Sequence, residues 1–299
     1  MKDIVVLPGP SSTKLGTSIA SYLNVDPVDV ELRTFSDGES KIRINANLTN
    51  KKCVVVQSTF PPVDSHYLQT LMMLSYCINS GAAAIIPVVP YMGYARQDRI
   101  FLEGEVVTMA LIAKLFDCFQ IKDLVTIDIH SSTALSCFNL NVFNLSSIPL
   151  LANYAKANFN LIEPLIVSPD QGGTNRAKLF SEILKTSYLS LIKKRDRQTG
   201  NIIIDEDLHM DTKDRDIILI DDMISSGGTI MKAVNILKKN KCGRIFVMCV
   251  HALSDEKSLN ALRETGIQDL ISTNSIPRSC SKIDLSNEIA KTLCSILNI

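Results

Sequence analysis

The stretch Ile217 to Ile230, IILIDDMISSGGTI, constrains this chain most, because it joins an apolar strand, a carboxylate pair and a helix start without a break. Ile217 to Ile220 is an uninterrupted apolar run, the pattern of a central strand covered on both faces. Asp221 and Asp222 follow at its carboxyl end, and then come Ser225, Ser226, Gly227, Gly228 and Thr229. From Met231 to Lys239 apolar residues recur at helical spacing, so the loop opens a helix. Open α/β sheets bind ligands outside the carboxyl ends of their strands. Two glycines let the backbone turn its N–H groups inward, three hydroxyls add donors, and a helix N-terminus favours an anion. The loop therefore has the form of a phosphate cradle. It is neither a Walker loop, which needs a Lys before its Ser/Thr, nor a Rossmann turn, which needs G-x-G-x-x-G.

A strand of this kind needs neighbours, and the rest of the chain supplies them. Short apolar runs at Ile4–Leu7, Cys53–Gln57, Ala83–Val88, Leu124–Ile129, Leu165–Ser168 and Arg244–Val250 predict further strands. They alternate with helical patterns at Ser65–Ser80, Val106–Phe119, Asn175–Lys185, Thr229–Lys239 and Glu256–Thr265, which argues for parallel sheets covered by helices. A chain of 299 residues exceeds what one core usually serves, and the turn Asn144–Pro149 is the best boundary. The expected division is 1–145 and 146–299, two related α/β domains, with the last helix packing back on the first. Lys193 to Asp216 interrupts the rhythm with charged, turn-rich segments and predicts a mobile flap and a hairpin.

Composition narrows the chemistry. Lys plus Arg and Asp plus Glu both total 31, so no global field attracts nucleic acid or an anionic membrane, and phosphate binding must be local. The eight cysteines lack C-x-x-C spacing and fall mostly in apolar runs, as expected of reduced core residues in a cytoplasmic protein. No apolar stretch approaches the length of a membrane span, and none at the start resembles a signal peptide.

Five other segments carry chemistry. Phe35 to Glu39 reads FSDGE between two strand-like runs, in itself a turn with Asp37, Gly38 and Glu39. Pro90 to Arg99, PYMGYARQDR, places Arg96, Gln97 and Asp98 beside two tyrosines directly after a buried strand, and Arg96 offers a planar fork suited to phosphate. Val125 to His130, VTIDIH, delivers Asp128 and His130 to a sheet edge. Val167 to Ala177, VSPDQGGTNRA, repeats the order of strand, acid, double glycine and helix; Asp170 suits a metal or a sugar hydroxyl, and the glycines suit a pyrophosphate. Lys193, Lys194, Arg195 and Arg197 form a basic cluster at the root of the flap, where a cation pair can close over a transferring phosphoryl group.

These segments, in this order, resemble the ribose-phosphate pyrophosphokinase family over nearly the whole chain. FSDGE, YARQDR, SPDQGGTNRA and the DD…GGT loop carry the resemblance in combination; DIH and KxR are weak alone. The resemblance implies two phosphoribosyltransferase-like domains, each a mostly parallel sheet flanked by helices. It also implies transfer of pyrophosphate from Mg-ATP to the anomeric hydroxyl of ribose 5-phosphate. On that footing Phe35, Asp37, Gly38 and Glu39 hold adenine from a neighbouring subunit, and Arg96, Gln97 and Asp98 line the ATP site. His130 and Asp170 contact Mg²⁺. Asp221 and Asp222 hold ribose hydroxyls, Ser225, Ser226, Gly227, Gly228 and Thr229 hold the 5-phosphate, and Lys193 and Arg195 carry transition-state charge, Arg195 also contacting the sugar phosphate. The implied partners are ATP and ribose 5-phosphate in a homo-oligomer, with no nucleic acid and no membrane. Two departures stand out. Many members carry Asp where this chain has Ser225, and the stretch after His130 runs SSTALSCF where a Gln and an aromatic pair are usual. A phosphoribosyltransferase would need only one such domain. A non-catalytic regulatory homologue should have lost flap or metal residues, yet Lys193, Arg195, His130 and Asp170 are present.

Overall fold

The computed structural model of the chain describes residues 3–191, 193–195, 202–204 and 211–299, with 193–195 and 202–204 as backbone strands. In chain order it begins with β1 Ile4–Pro8, α1 Thr13–Tyr22, the strands β2 Val30–Thr34 and β3 Ser40–Ile44, β4 Lys52–Val56 and α2 Val63–Asn79. β5 Ala84–Val89, α3 Thr108–Asp117, β6 Asp123–Ile127, α4 Ser132–Leu135 and β7 Asn141–Leu145 follow. Next come α5 Ile148–Asn158, β8 Leu165–Ser168, α6 Thr174–Leu184, β9 Ser187–Ser190, β10 Lys193–Arg195 and β11 Ile202–Ile204. The chain ends with β12 Ile217–Ile224, α7 Gly228–Lys239, β13 Ile245–Ala252, α8 Glu256–Glu264, β14 Asp269–Thr273, β15 Ser281–Ile283 and α9 Ser286–Leu297. Contacts gather these elements into two compact units, Met1–Ser146 with Asp284–Ile299, and Ser147–Ile283.

The first unit is built on a five-stranded parallel sheet in the order β1-β4-β5-β6-β7. Its central strands are buried nearly throughout, as their β-branched runs require. β2 and β3 form a separate antiparallel hairpin whose turn is the Phe35–Glu39 segment, and β3 packs on α2. The C-terminal α9 lies on α1, burying Ile289, Ala290, Leu293 and Leu297.

The second unit holds a six-stranded sheet in the order β15-β14-β13-β12-β8-β9, all pairs parallel. The chain leaves β8 toward β9 on one side and β12 toward β13 on the other, so the order reverses between β8 and β12. A crevice at the carboxyl ends is expected at such a point. α7 buries Ile230, Ala233, Val234, Ile236 and Leu237, and each buried Ile, Val or Leu side chain is worth roughly 1.5–3 kcal/mol of burial. β10 and β11 pair antiparallel, Lys193 opposite Ile204 and Arg195 opposite Ile202. Arg197, most of the predicted flap and the side chains of Lys193 and Arg195 lie outside the described residues.

Two of the boundaries that differ from those expected bear on the sheet edges. β12 runs on to Ile224, so Asp221 and Asp222 lie inside the strand, because β13 keeps pairing with it as far as Ile224 opposite Ala252. β6 stops at Ile127, because Asp128 takes a left-handed φ of 38° and its N–H turns to the Leu145 carbonyl, 2.9 Å away. The cysteines are also less uniformly internal than expected: Cys53, Cys77, Cys249 and Cys280 are buried, whereas Cys118, at the end of α3, is exposed.

At the amino edge of the second sheet, Asp216 ties three segments together. Oδ1 accepts from the Arg244 N–H (3.0 Å) and Nε (3.2 Å), and Oδ2 accepts from the Ile162 N–H (2.8 Å) and Arg244 Nη2 (2.6 Å). Burial pushes the Asp216 carboxyl up, but the bonds from Arg244 and the two amides outweigh it and hold the group below the usual carboxylate range. A depressed folded-state pKa contributes stability above about pH 4 that is lost as pH falls through the folded value. Asp216→Ala should therefore lower stability by about 2 kcal/mol at neutral pH in urea unfolding, less than for a fully buried pair because Arg244 can rehydrate. The variant should also lose less stability than the parent on acidification below about pH 4.

Candidate functional site

The carboxyl edge of the second sheet gathers the acids and the cradle. β8 pairs with β12 only through Leu219 opposite Val167, so the tail of β12 from Asp221 to Ile224 keeps β13 as its strand neighbour and has no paired strand where β8 has ended. Asp221 and Asp222 sit on that tail. Each carboxylate accepts the next residue's N–H at 2.9 Å, Asp222 N–H on Asp221 Oδ1 and Met223 N–H on Asp222 Oδ1, which fixes both side chains against their own strand. Asp170, just past β8, turns its Oδ1 onto the Gly173 N–H at 3.2 Å and caps the short turn that opens α6. Beyond β12 the chain turns through Ser225 and Ser226, both exposed, to Gly227, whose φ of 76° is left-handed, and α7 begins at Gly228. A side chain at Gly227 would strain this turn, and glycine has no side chain to cap the helix; only Ser226 Oγ accepts a long bond from the Gly228 N–H, at 3.5 Å. The first-turn N–H groups of α7 are thus available to an anion.

One participant was not singled out from the sequence. Arg176, in the first turn of α6, places Nη1 3.6 Å from Asp221 Oδ1 and Nη2 3.6 Å from Asp222 Oδ2, with all three side chains largely buried. A Cβ at Gly173 would collide with Ser168 Oγ and the Arg176 guanidinium, so glycine there makes room for the bridge. The signal was present: a cation in the first turn opposes the helix dipole and calls for a nearby acid. Burial, then the like charge of Asp222, push the Asp221 carboxyl up to about 8, against the lowering pull of Arg176. Asp170 adds a further upward push.

In the first unit the edge of β5 and β6 is arranged differently. Asp98 is buried; it accepts from Arg99 Nε (3.0 Å) and Nη2 (3.2 Å) and from the Ser131 hydroxyl, which also caps α4. The Arg99 guanidinium holds the Asp98 carboxyl below its usual range against the effect of burial, with Ser131 adding to the lowering. Gln97 is exposed but tied to the start of α3, its Oε1 accepting from Thr108 Oγ1 at 2.6 Å and its carbonyl from the Met109 N–H at 3.1 Å. Arg96 is exposed and makes no hydrogen bond or ion pair among the described residues. His130 is exposed, past the end of β6. Phe35 to Glu39 are exposed at the hairpin tip; the turn closes on itself through Phe35 N–H to Glu39 O (2.9 Å) and Glu39 N–H to Asp37 Oδ1 (3.1 Å). Gly38 takes φ 92°, and Arg33 stacks over the Phe35 ring at 4.8 Å.

Carboxylate oxygens suit a hard cation such as Mg²⁺. Among the described residues no group of three His, Cys, Asp or Glu side chains encloses a metal.

Residues 4–119 match the family model for the N-terminal domain of ribose phosphate pyrophosphokinase, and residues 148–275 match the phosphoribosyl transferase domain. The chain is 31% identical to the ribose-phosphate pyrophosphokinase of Sulfurisphaera tokodaii over 97% of its own length and 100% of the relative's. The chain belongs to the ribose-phosphate pyrophosphokinase family. The corresponding enzyme of Methanobrevibacter smithii is 33% identical over 97% of this chain and 99% of the relative, and that of Haemophilus ducreyi 30% identical over 99% and 94%. A solved phosphoribosylpyrophosphate synthetase from Mycobacterium smegmatis superposes with a TM-score of 0.88 at 23% identity, covering 99% of both chains, and so shares the fold. The expected fold class stands: two α/β units with parallel sheets flanked by helices.

The raised Asp221 pKa has a testable sign. A carboxyl whose folded value exceeds its unfolded value adds stability below about pH 4 that is lost as pH rises toward the folded value near 8. Asp221→Asn should flatten the fall in melting temperature between about pH 5 and 9, and Arg176→Gln should extend that fall to higher pH.

Proposed function

We propose that the chain transfers the pyrophosphoryl group of Mg-ATP to ribose 5-phosphate, giving 5-phosphoribosyl 1-pyrophosphate and AMP. The anomeric oxygen attacks the β-phosphorus, the bond from that phosphorus to the oxygen bridging it to the α-phosphorus breaks, and the hydroxyl proton leaves to solvent. The observation that carries this reading is the edge of β12, where two adjacent carboxylates held by their own backbone precede a glycine-entered helix whose start is capped only by a long bond to Ser226 Oγ. Paired acceptors suit two neighbouring sugar hydroxyls, and the helix start suits a phosphate monoester. The full-length relatives named ribose-phosphate pyrophosphokinase support the same assignment.

The roles follow. Asp221 and Asp222 accept from the ribose hydroxyls, while Ser225, Ser226, Gly227, Gly228 and Thr229 hold the 5-phosphate. Arg176 offsets the charge of the acid pair until the sugar's hydroxyls share it. Arg96, exposed and without a partner among the described residues, is suited to grip the ATP phosphates, with Gln97 and Asp98 holding its loop in place. His130 and Asp170 would hold Mg²⁺, which when bound supplies neutralisation of phosphate charge. Lys193 and Arg195 stabilise charge on the group in transit, a task in which positioning and electrostatics do most of the catalysis. The exposed tip with Phe35, Asp37, Gly38 and Glu39 is suited to reach a second copy and share its adenine site in a cytoplasmic homo-oligomer. Among the described residues no helix is long and apolar enough to cross a membrane.

Incubation with ribose 5-phosphate, ATP and Mg²⁺ should yield AMP and 5-phosphoribosyl 1-pyrophosphate in equal amounts, dependent on the sugar and resolved by chromatography. ATP binding without either product would favour a regulatory homologue. Lys193→Ala should leave ATP binding nearly intact and lower turnover by roughly a hundredfold or more. Weakened ATP affinity at unchanged turnover would refute its transition-state role.

A further inference from the structure

The cradle after β12 has a support of its own, away from the ligand side. β13 ends at Ala252, and the next two residues fold back onto the end of β12. The Leu253 N–H (2.9 Å), the Ser254 N–H (3.0 Å) and the Ser254 hydroxyl (3.2 Å) converge on the Ile224 carbonyl, and the same hydroxyl donates to the Ser225 carbonyl. Ser254 is 4% exposed, so solvent offers these carbonyls little competition. The turn is braced from behind by Arg278, whose Nε donates to the Ser254 carbonyl at 2.8 Å and whose Nη2 lies 3.4 Å from the Leu253 carbonyl.

Geometry gives this brace a consequence in the cradle. The C=O and N–H of a trans peptide point in opposite directions. Anchoring the Ser225 carbonyl on Ser254 therefore turns the Ser226 N–H away from β13. The Ser226 and Gly227 N–H groups make no hydrogen bond among the described residues. An amide with no internal partner and its direction set in advance is an oriented anion donor. The exposed Ser225 side chain shows no hydrogen bond among the described residues that could hold this turn.

We propose that Ser254, braced by Arg278, is a positioning residue for ribose 5-phosphate: it aims the Ser226 amide at the 5-phosphate without touching the substrate. The proposal rests on the ribose 5-phosphate reading of the cradle. Losing it costs orientation at the sugar phosphate and leaves the ATP side alone.

Calorimetric titration of the full chain with ribose 5-phosphate, paired with steady-state kinetics, tests it. Ser254→Ala should weaken ribose 5-phosphate binding and raise its KM by about tenfold, with kcat and the KM for ATP within about twofold of the parent. Ser254→Thr, which keeps the hydroxyl, should recover most of the affinity, whereas simple loss of packing would not follow the hydroxyl in this way. Should Ser254→Ala fail to fold, Arg278→Gln carries the test, with a smaller rise in the same KM and none in that for ATP. Unchanged ribose 5-phosphate affinity in folded Ser254→Ala, or equal losses for both substrates, overturns the positioning role. A parent chain that binds no ribose 5-phosphate overturns the underlying reading together with it.

Discussion

The geometry of the second unit depends on a mismatch in strand length. β12 and β13 pair over eight residues each, as far as Ile224 and Ala252, while β8 leaves β12 at Leu219. Flush strands would have buried Asp221 and Asp222 between neighbours, where unpaired carboxylates are costly. The early exit of β8 instead leaves them held by their own strand on one side and facing the Arg176 guanidinium on the other. The same exit puts the Asp170 turn and Arg176 across from the acid pair, at the point where the strand order reverses.

Charge at this edge is balanced unevenly. Asp221 and Asp222 face one guanidinium at 3.6 Å from each, too far for strong hydrogen bonds, and Asp170 adds a third acid to the neighbourhood. Arg176 therefore reduces the repulsion without quenching it. Burial and the crowding of two acids at this edge resist their joint ionisation, which is why the Asp221 carboxyl is pushed up to about 8.

In the first unit the corresponding edge invests its acid in structure. Asp98 is consumed by Arg99 and by the Ser131 hydroxyl that caps α4, and Gln97 by the start of α3. These bonds fix a loop on which Arg96 alone of the three projects without a partner among the described residues. One fold rhythm thus presents backbone amides at the edge of one unit and a guanidinium fork at the edge of the other.

Local patterns made much of this legible. Apolar runs located β4, β5, β8 and β13 to within a residue or two, and the glycine and hydroxyl cluster placed the start of α7 correctly, because strand burial, turn chemistry and helix periodicity are written in neighbouring residues. What the sequence by itself determined was the inventory: alternating strands and helices, a carboxylate pair, a cradle after it and a cation-bearing loop in each half. Partnership was left to the tertiary structure. The true end of β12 depends on the length of β13, the bridge from Arg176 depends on where α6 starts relative to another strand, and the hold of Ser254 on Ser225 spans 29 residues. Such contacts are set by which backbones lie side by side, and no residue's own neighbours in the chain encode that.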